Sequence, residues 1–304
     1  MKQVLAAAAA VLVMLGAVGC AAEAADVPQR ADLPRRLTHA EEMLVDRARE
    51  ALIEKCMAET GFTYRPVPVA SLAERKMGGY VLDDVTWARR HGYGTRLSEG
   101  LADVQRNDPN HAYARGLPKA ERIRYSKTLD GDPSGGMLTA ELPAGGTVRT
   151  PRDSCVAEAK GELYGDFPAF FHAEKAATGL VPLYAPEILK DRRFVNAREE
   201  WASCMSKRGH DFADPAAVRE RLPQLTHGVS RDKAHVIEVE LAVDEAECAT
   251  KETALVRTAR ALETEYVDGL DEYRDELTDY RRMQHGALKR ARELCAEYAC
   301  VPGR

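Results

Sequence analysis

Hydrophobic positions recur every three or four residues along most of this chain, which is the spacing of helices with one apolar face. The first such helix is predicted to start at Thr38, which forms a capping box with Glu41, and its apolar face continues to Cys56. Further helices are predicted at 84–91, at 118–129, from a cap at 150–153 as far as Leu163, from Pro186 to Cys204, and from Asp214. The pattern therefore predicts a mainly α protein.

The C-terminal part of the chain, from Arg231 to Cys295, is helix-permissive almost throughout. Apolar residues in 255–266 and 270–280 have coiled-coil-like spacing. Gly269 separates the two runs, and a glycine inside a helix costs about 1 kcal/mol. This part is therefore predicted to form either one long bent helix or two helices that meet near Asp268.

Only one segment favours β structure. Glycine and proline are concentrated between Gly131 and Gly146, and the short runs 137–142 and 147–150 flank a turn at 143–146. One small β-hairpin is predicted there.

The N-terminus has the pattern of an export signal. Lys2 precedes the uncharged stretch 4–19, whose 16 apolar or small residues are fewer than the roughly 20 needed to cross a bilayer. The stretch ends in Gly16-Ala17-Val18-Gly19-Cys20, which resembles a bacterial lipobox and implies cleavage before Cys20 and lipid attachment to its sulfur. The alternative is an ordinary signal cleaved within 21–25.

These features divide the chain into three parts. Residues 1–19 are predicted to be a lipoprotein signal peptide, residues 20–37 a lipidated tether, and residues 38–304 a helical extracytoplasmic domain anchored to the outer face of the cell membrane.

Seven cysteines are present, and six remain if Cys20 carries lipid. An even number in an exported chain indicates disulfides. A zinc site would need paired ligands two to four residues apart, twice over, and this spacing is lacking, so no metal is expected. The disulfide candidates are Cys56, Cys155, Cys204, Cys248, Cys295 and Cys300.

An internal repeat suggests how they pair, although six cysteines allow 15 combinations. Residues 56–64 and 204–212 share Cys, Met, Gly and a closing aromatic at the same offsets, as expected for a last helical turn with a glycine cap followed by extended chain. Each repeat is followed by one more cysteine in a helical pattern. We therefore predict the pairs Cys56–Cys155, Cys204–Cys248 and Cys295–Cys300. The repeat also suggests two related halves, 38–165 and 186–304.

Several segments occur together in a familiar order. They are Cys-Met-x3-Gly, His91-Gly92-Tyr93-Gly94, Asn110 to Asp132, Ser154-Cys155 to Gly165, Trp201-x-x-Cys204-Met205, and Glu240 to Cys248. The ordered set resembles a group of uncharacterised secreted lipoproteins from actinobacteria, Streptomyces and its relatives. This resemblance covers residues 38–280 and implies a cell-surface location, but no activity.

Charge and motifs narrow the function classes. The net charge of −5 argues against nucleic acid as the main partner. The chain has no Gly-x-Ser-x-Gly, His-Glu-x-x-His, phosphate-binding loop or dinucleotide-binding glycine pattern, so no cofactor is expected.

Five residues are the candidates for binding or chemistry. Glu240 and Asp244 are spaced by four residues from each other and from Cys248, so they either form surface salt bridges or make a buried acid–base pair. Trp87, Tyr93 and Trp201 either line a groove or fill the core.

Three function classes are compatible with these features. The favoured one is a non-catalytic lipoprotein that binds an envelope protein, a cell-wall polymer or a small ligand, or has a structural role. The alternatives are an extracellular enzyme with an acidic site near Cys248 and a solute-binding lipoprotein of a transporter; the latter is usually a two-lobed α/β protein.

Overall fold

The computed structural model describes residues 32–298 and residue 300, and it confirms a mainly α protein. Its N-terminal elements, in chain order, are α1 His39–Glu59, α2 Leu72–Arg75, α3 Val85–His91, α4 Thr95–Arg106, α5 Pro109–Gly116, α6 Lys119–Asp130, a 3-10 turn Pro133–Gly135, and strands β1 Met137–Glu141 and β2 Thr147–Pro151. The rest are α7 Cys155–Tyr164, α8 Phe167–Thr178, α9 Val181–Lys190, α10 Arg192–Lys207, α11 Pro215–Leu225, α12 Arg231–Glu247, a π-helical segment Cys248–Glu252, α13 Leu255–Asp268, a 3-10 turn Asp271–Tyr273, and α14 Arg274–Tyr298.

The predicted hairpin is present. β1 and β2 are antiparallel, with Met137 opposite Pro151 and Glu141 opposite Thr147. Leu138 and Ala140, which alternate along β1, are buried against phenylalanines of α8, as the period-two pattern of a half-buried strand requires.

The first core is built from three helices that are far apart in sequence. α1, α7 and α14 contact one another. Their small residues Ala48, Ala159 and Ala291 are buried at the centre, among larger apolar side chains such as Leu52 and Leu163. The last helix therefore completes a core that the first helix begins.

The second core lies between α9, α10 and α13, with the end of α12 and its π-helical extension against them. Trp201 and Phe194 of α10 are its largest fully buried side chains. α12 also packs against α3, where Ala242 and Ala246 meet Trp87.

The three predicted disulfides are confirmed: Cys56–Cys155, Cys204–Cys248 and Cys295–Cys300. The repeated turn also has the expected form, because Gly61 and Gly209 follow α1 and α10 with φ of +83° and +89°, a conformation that glycine adopts without the penalty of a side chain. The first bridge joins α1 to α7, and the second joins α10 to the π-helical segment.

Two local expectations were wrong. Pro186 lies inside α9 rather than at the start of a helix, and Asp191 ends α9 and caps α10 by accepting the Arg193 N–H at 2.8 Å. The 150–153 segment does not cap α7. Pro151 ends β2, and Ser154 caps the helix through its Oγ, which accepts from the Ala157 N–H at 3.0 Å.

The helical region after Arg231 is interrupted at Gly269, as the two-helix alternative predicted, and it is interrupted a second time at Thr253. Thr253 is extended, with φ −128° and ψ 176°, and its hydroxyl bonds the Cys248 carbonyl at 2.8 Å. The C-terminal part therefore contains α12, α13 and α14 rather than one or two helices.

The compact body begins at Leu33, five residues before the Thr38 cap. Leu33 packs against the second core, and the carbonyl of Pro34 accepts from Arg281 at 2.9 Å. The predicted signal peptide 1–19, Cys20 and tether residues 21–31 lie outside the described residues. Among the helices that the structure describes, none is both long enough and apolar enough to span a membrane.

Candidate functional site

Two features of the fold are candidates for function, and the first is a pair of buried carboxylates on α12. Glu238 and Glu245 are 4% and 0% exposed. They are seven residues apart and therefore lie on one face of the helix, the face that also carries the buried Leu241 and Ala242.

Glu245 accepts three hydrogen bonds from distant parts of the chain. Its Oε1 accepts from the Leu82 N–H at 2.9 Å and from Arg219 Nη2 at 3.1 Å, and its Oε2 accepts from the Tyr93 hydroxyl at 2.8 Å. Burial raises the pKa of Glu245, and the arginine and the other donors oppose that rise. Burial together with the neighbouring carboxylate likewise raises the pKa of Tyr93, whose ring also stacks under Arg219.

Glu238 holds the turn between α3 and α4. Its Oε1 accepts the backbone N–H groups of Tyr93 at 2.7 Å and Thr95 at 3.0 Å. Gly92 makes this approach possible, because its φ is +61° and a Cβ there would lie 2.5 Å from Glu238 Cγ. The two carboxylates therefore fasten the 82–95 segment to α12.

The three candidate aromatics surround this same helix. Trp87 is buried, and its Nε1 donates to the Ala73 carbonyl at 3.0 Å. Trp201 is fully buried, and its Nε1 donates to the Glu245 carbonyl at 3.3 Å. Tyr93 is half-buried and bonded to Glu245. The structure thus gives all three contacts inside the fold.

The two candidate carboxylates lie apart from the buried pair. Asp244 accepts from Arg208 at 2.5 Å and lies 2.8 Å from His210 Nε2, so it bonds the repeated turn that follows α10. Glu240 is exposed. The sequence analysis missed Glu238 and Glu245. Their i, i+3, i+4, i+7 spacing with Leu241 and Ala242 places all four side chains on one helix face, which could have indicated that the two glutamates are buried.

The second feature is an apolar groove of about 550 Å³ between α9, α13 and the 79–83 segment, a size typical of ligand sites. Its apolar lining comprises Tyr80, Val81, Val181, Tyr184, Ala185, Ile188, Leu189, Phe194, Val256 and Ala259. Three of these are large and exposed, namely Tyr80 at 38%, Val181 at 51% and Leu189 at 43%. We call this surface the α9–α13 groove.

The charged residues that line the α9–α13 groove are paired within the protein. Arg260 forms an ion pair with Asp83 across it. Glu263 forms an ion pair with Arg36 at 3.0 Å and accepts from the Tyr184 hydroxyl at 3.5 Å. The groove therefore offers apolar contact with a balanced charge at its rim.

No group of three or more His, Cys, Asp or Glu side chains in residues 32–298 is arranged to hold a metal ion. Comparisons of this chain with models of protein families, with curated proteins and with solved structures find no match.

Proposed function

We propose that this protein is a lipid-anchored extracytoplasmic protein of the cell envelope with a non-catalytic binding or structural role. The observation that carries the proposal is the use of its cysteines. Six of the seven pair with one another in three disulfides, which indicates an oxidising compartment. The seventh, Cys20, stands directly after the small residues of the lipobox-like sequence.

The non-catalytic part rests on the carboxylates. Glu238 and Glu245 accept backbone, tyrosine and arginine donors within the fold, and Asp244 is engaged by Arg208 and His210. A general acid or base must instead reach a substrate proton. These side chains stabilise the packing of α12, so the exposed apolar groove is the better candidate for contact with another molecule.

The alternative of a transporter's solute receptor has no specific support in the fold. Such receptors bind between two α/β lobes, whereas the sheet within residues 32–298 is the single two-stranded pair β1–β2.

Expression of the full chain and of its Cys20→Ala variant in the native host tests the anchor. Wild-type protein should sediment with membranes, and its N-terminal peptide should carry the mass of a lipidated Cys20. The variant should appear in the medium or the soluble envelope fraction. Equal membrane retention of both, or an unmodified wild-type N-terminus that starts within 21–26, would refute lipid anchoring.

Chemical crosslinking of the anchored wild-type protein in whole cells tests the binding role. A non-catalytic binding protein should yield the same crosslinked partner in repeated preparations. Turnover of an envelope substrate by the purified protein would contradict the proposal.

A further inference from the structure

We infer that the α9–α13 groove faces the bilayer and receives acyl chains of membrane lipids. This inference rests on the proposed lipid anchor, and it adds which face of the protein meets the membrane.

The first observation is the concentration of exposed apolar side chains at one place. Tyr80, Val181 and Leu189 stand around a groove whose floor, including Ile188 and Phe194, is also apolar.

The second observation is where the predicted tether joins the folded body. Arg36 forms its ion pair with Glu263, which lines the groove, and Leu33 packs against the core that forms the groove floor. The chain from Cys20 to Leu33 spans 13 residues, which extend to at most about 45 Å. A lipid on Cys20 therefore keeps the membrane within reach of this groove.

The third observation is the charge at the rim. Both carboxylates that line the groove are ion-paired, Asp83 with Arg260, which also lines the groove, and Glu263 with Arg36, which lies outside its lining. Unpaired charges are costly to move toward hydrocarbon, and paired ones are less so. Tyr80 adds an aromatic side chain with a polar end, a type that is enriched at the membrane–water interface.

Lipid explains this combination better than a protein partner does. A few exposed apolar side chains give weak membrane affinity by themselves, but a covalent anchor turns their insertion into an intramolecular step at high effective concentration. The lipid anchor and the groove would then bind the same membrane surface together, each strengthening the other's attachment.

The test uses a tryptophan reporter in the full lipidated protein, reconstituted in phosphatidylcholine–phosphatidylglycerol vesicles with brominated acyl chains. The native Trp87 and Trp201 are 6% and 0% exposed, so they contribute a nearly constant background. Leu189→Trp places the reporter on the rim. Leu225→Trp is the matched control, since Leu225 is 41% exposed and Leu189 43%. We expect brominated lipid to quench Leu189→Trp several-fold more than Leu225→Trp.

A second reporter protects against a misfolded variant. Tyr80→Trp, across the groove, should also be quenched, and adding Leu189→Asp should reduce that quenching while adding Leu225→Asp should not. Equal quenching at both leucine positions, or none at the rim, would overturn the inference. So would a rim tryptophan shielded from both brominated lipid and aqueous iodide, which would indicate a protein partner or a second copy of this chain.

The outcome for the anchor is read separately. The mass of the N-terminal peptide and the sedimentation of the protein with vesicles report whether Cys20 carries lipid. A lipidated, vesicle-bound protein with an unquenched rim refutes only the groove's orientation, whereas an unlipidated protein refutes the proposed function.

Discussion

Replacement of Glu245 by alanine should destabilise the whole fold, because it removes an acceptor shared by three distant segments. The variant leaves the Leu82 N–H without a partner in a buried position, which costs about 1–3 kcal/mol. It also removes the ion pair with Arg219, whose side chain is 31% exposed and can be rehydrated. We therefore expect a loss of about 3 kcal/mol, at the low end of the range for breaking a buried pair.

Two variants calibrate this value. Glu240→Ala changes the same residue type on the exposed side of the same helix and should alter stability by less than about 0.5 kcal/mol. Glu245→Gln keeps an amide oxygen for Leu82 and Arg219, and its NH2 can donate to the Tyr93 hydroxyl. Its loss should be at most about 1 kcal/mol, since the hydrogen bonds are kept in neutral form and burial disfavours the charge that is removed.

Urea unfolding followed by helical circular dichroism measures these differences. Equal losses for Glu245→Ala and Glu240→Ala would refute the reasoning.

The pH dependence of stability gives a second check, since burial raises the folded-state pKa of Glu245 above its ordinary value of 4.5. The folded state then binds more protons than the unfolded state as the pH rises from about 4.5 to the raised folded-state pKa, so this group's contribution to stability falls over that window. Glu245→Gln should lack this decline.

Three further predictions concern the rest of the fold. Removing the Cys56–Cys155 bridge, whose cysteines are 99 residues apart, should cost about 4.7 kcal/mol of stability from chain entropy. Removing the Cys295–Cys300 bridge, whose cysteines are five residues apart, should cost about 2 kcal/mol. Urea unfolding of the two double alanine variants measures both costs, and equal costs would contradict the prediction. Hydrogen bonds from Arg193 lower the pKa of Asp191 to about 2, so the stability that this carboxylate contributes is lost as the pH falls from about 4 to about 2. In thermal melts, the melting temperature of Asp191→Asn should therefore fall less steeply with acid than that of the wild type. A steeper fall would contradict the prediction. Gly92→Ala should destabilise more than Gly78→Ala, because both glycines have positive φ but only Gly92 faces Glu238; equal melting temperatures would show that Glu238 moves freely.

The sequence was sufficient to predict features that depend on local chemistry. The positions of α1, α3, α6 and α7 followed from apolar periodicity and capping residues, whereas no helix was predicted at α4 or α8. The hairpin followed from the short runs on either side of a glycine-rich turn. The disulfides could be paired because Gly61 and Gly209 end two helices in the same left-handed conformation, which places each preceding cysteine in a comparable last turn.

Features that depend on long-range contacts could not be predicted. Glu245 was not identified because a glutamate in a helix is ordinarily exposed, and one of its partners, Leu82, lies 163 residues away. The break at Thr253 lacks the glycine or proline that usually marks one. The α9–α13 groove brings together segments around residues 80, 185 and 260, whose adjacency no local pattern encodes.

The contact of α14 with α1 and α7 has a consequence for when the protein folds. The first core lacks one of its three walls until residues 287–291 are present, more than 200 residues after the end of α1. Contacts of such sequence separation form late and slowly. A chain still being synthesised therefore cannot close this core until α14 has been made.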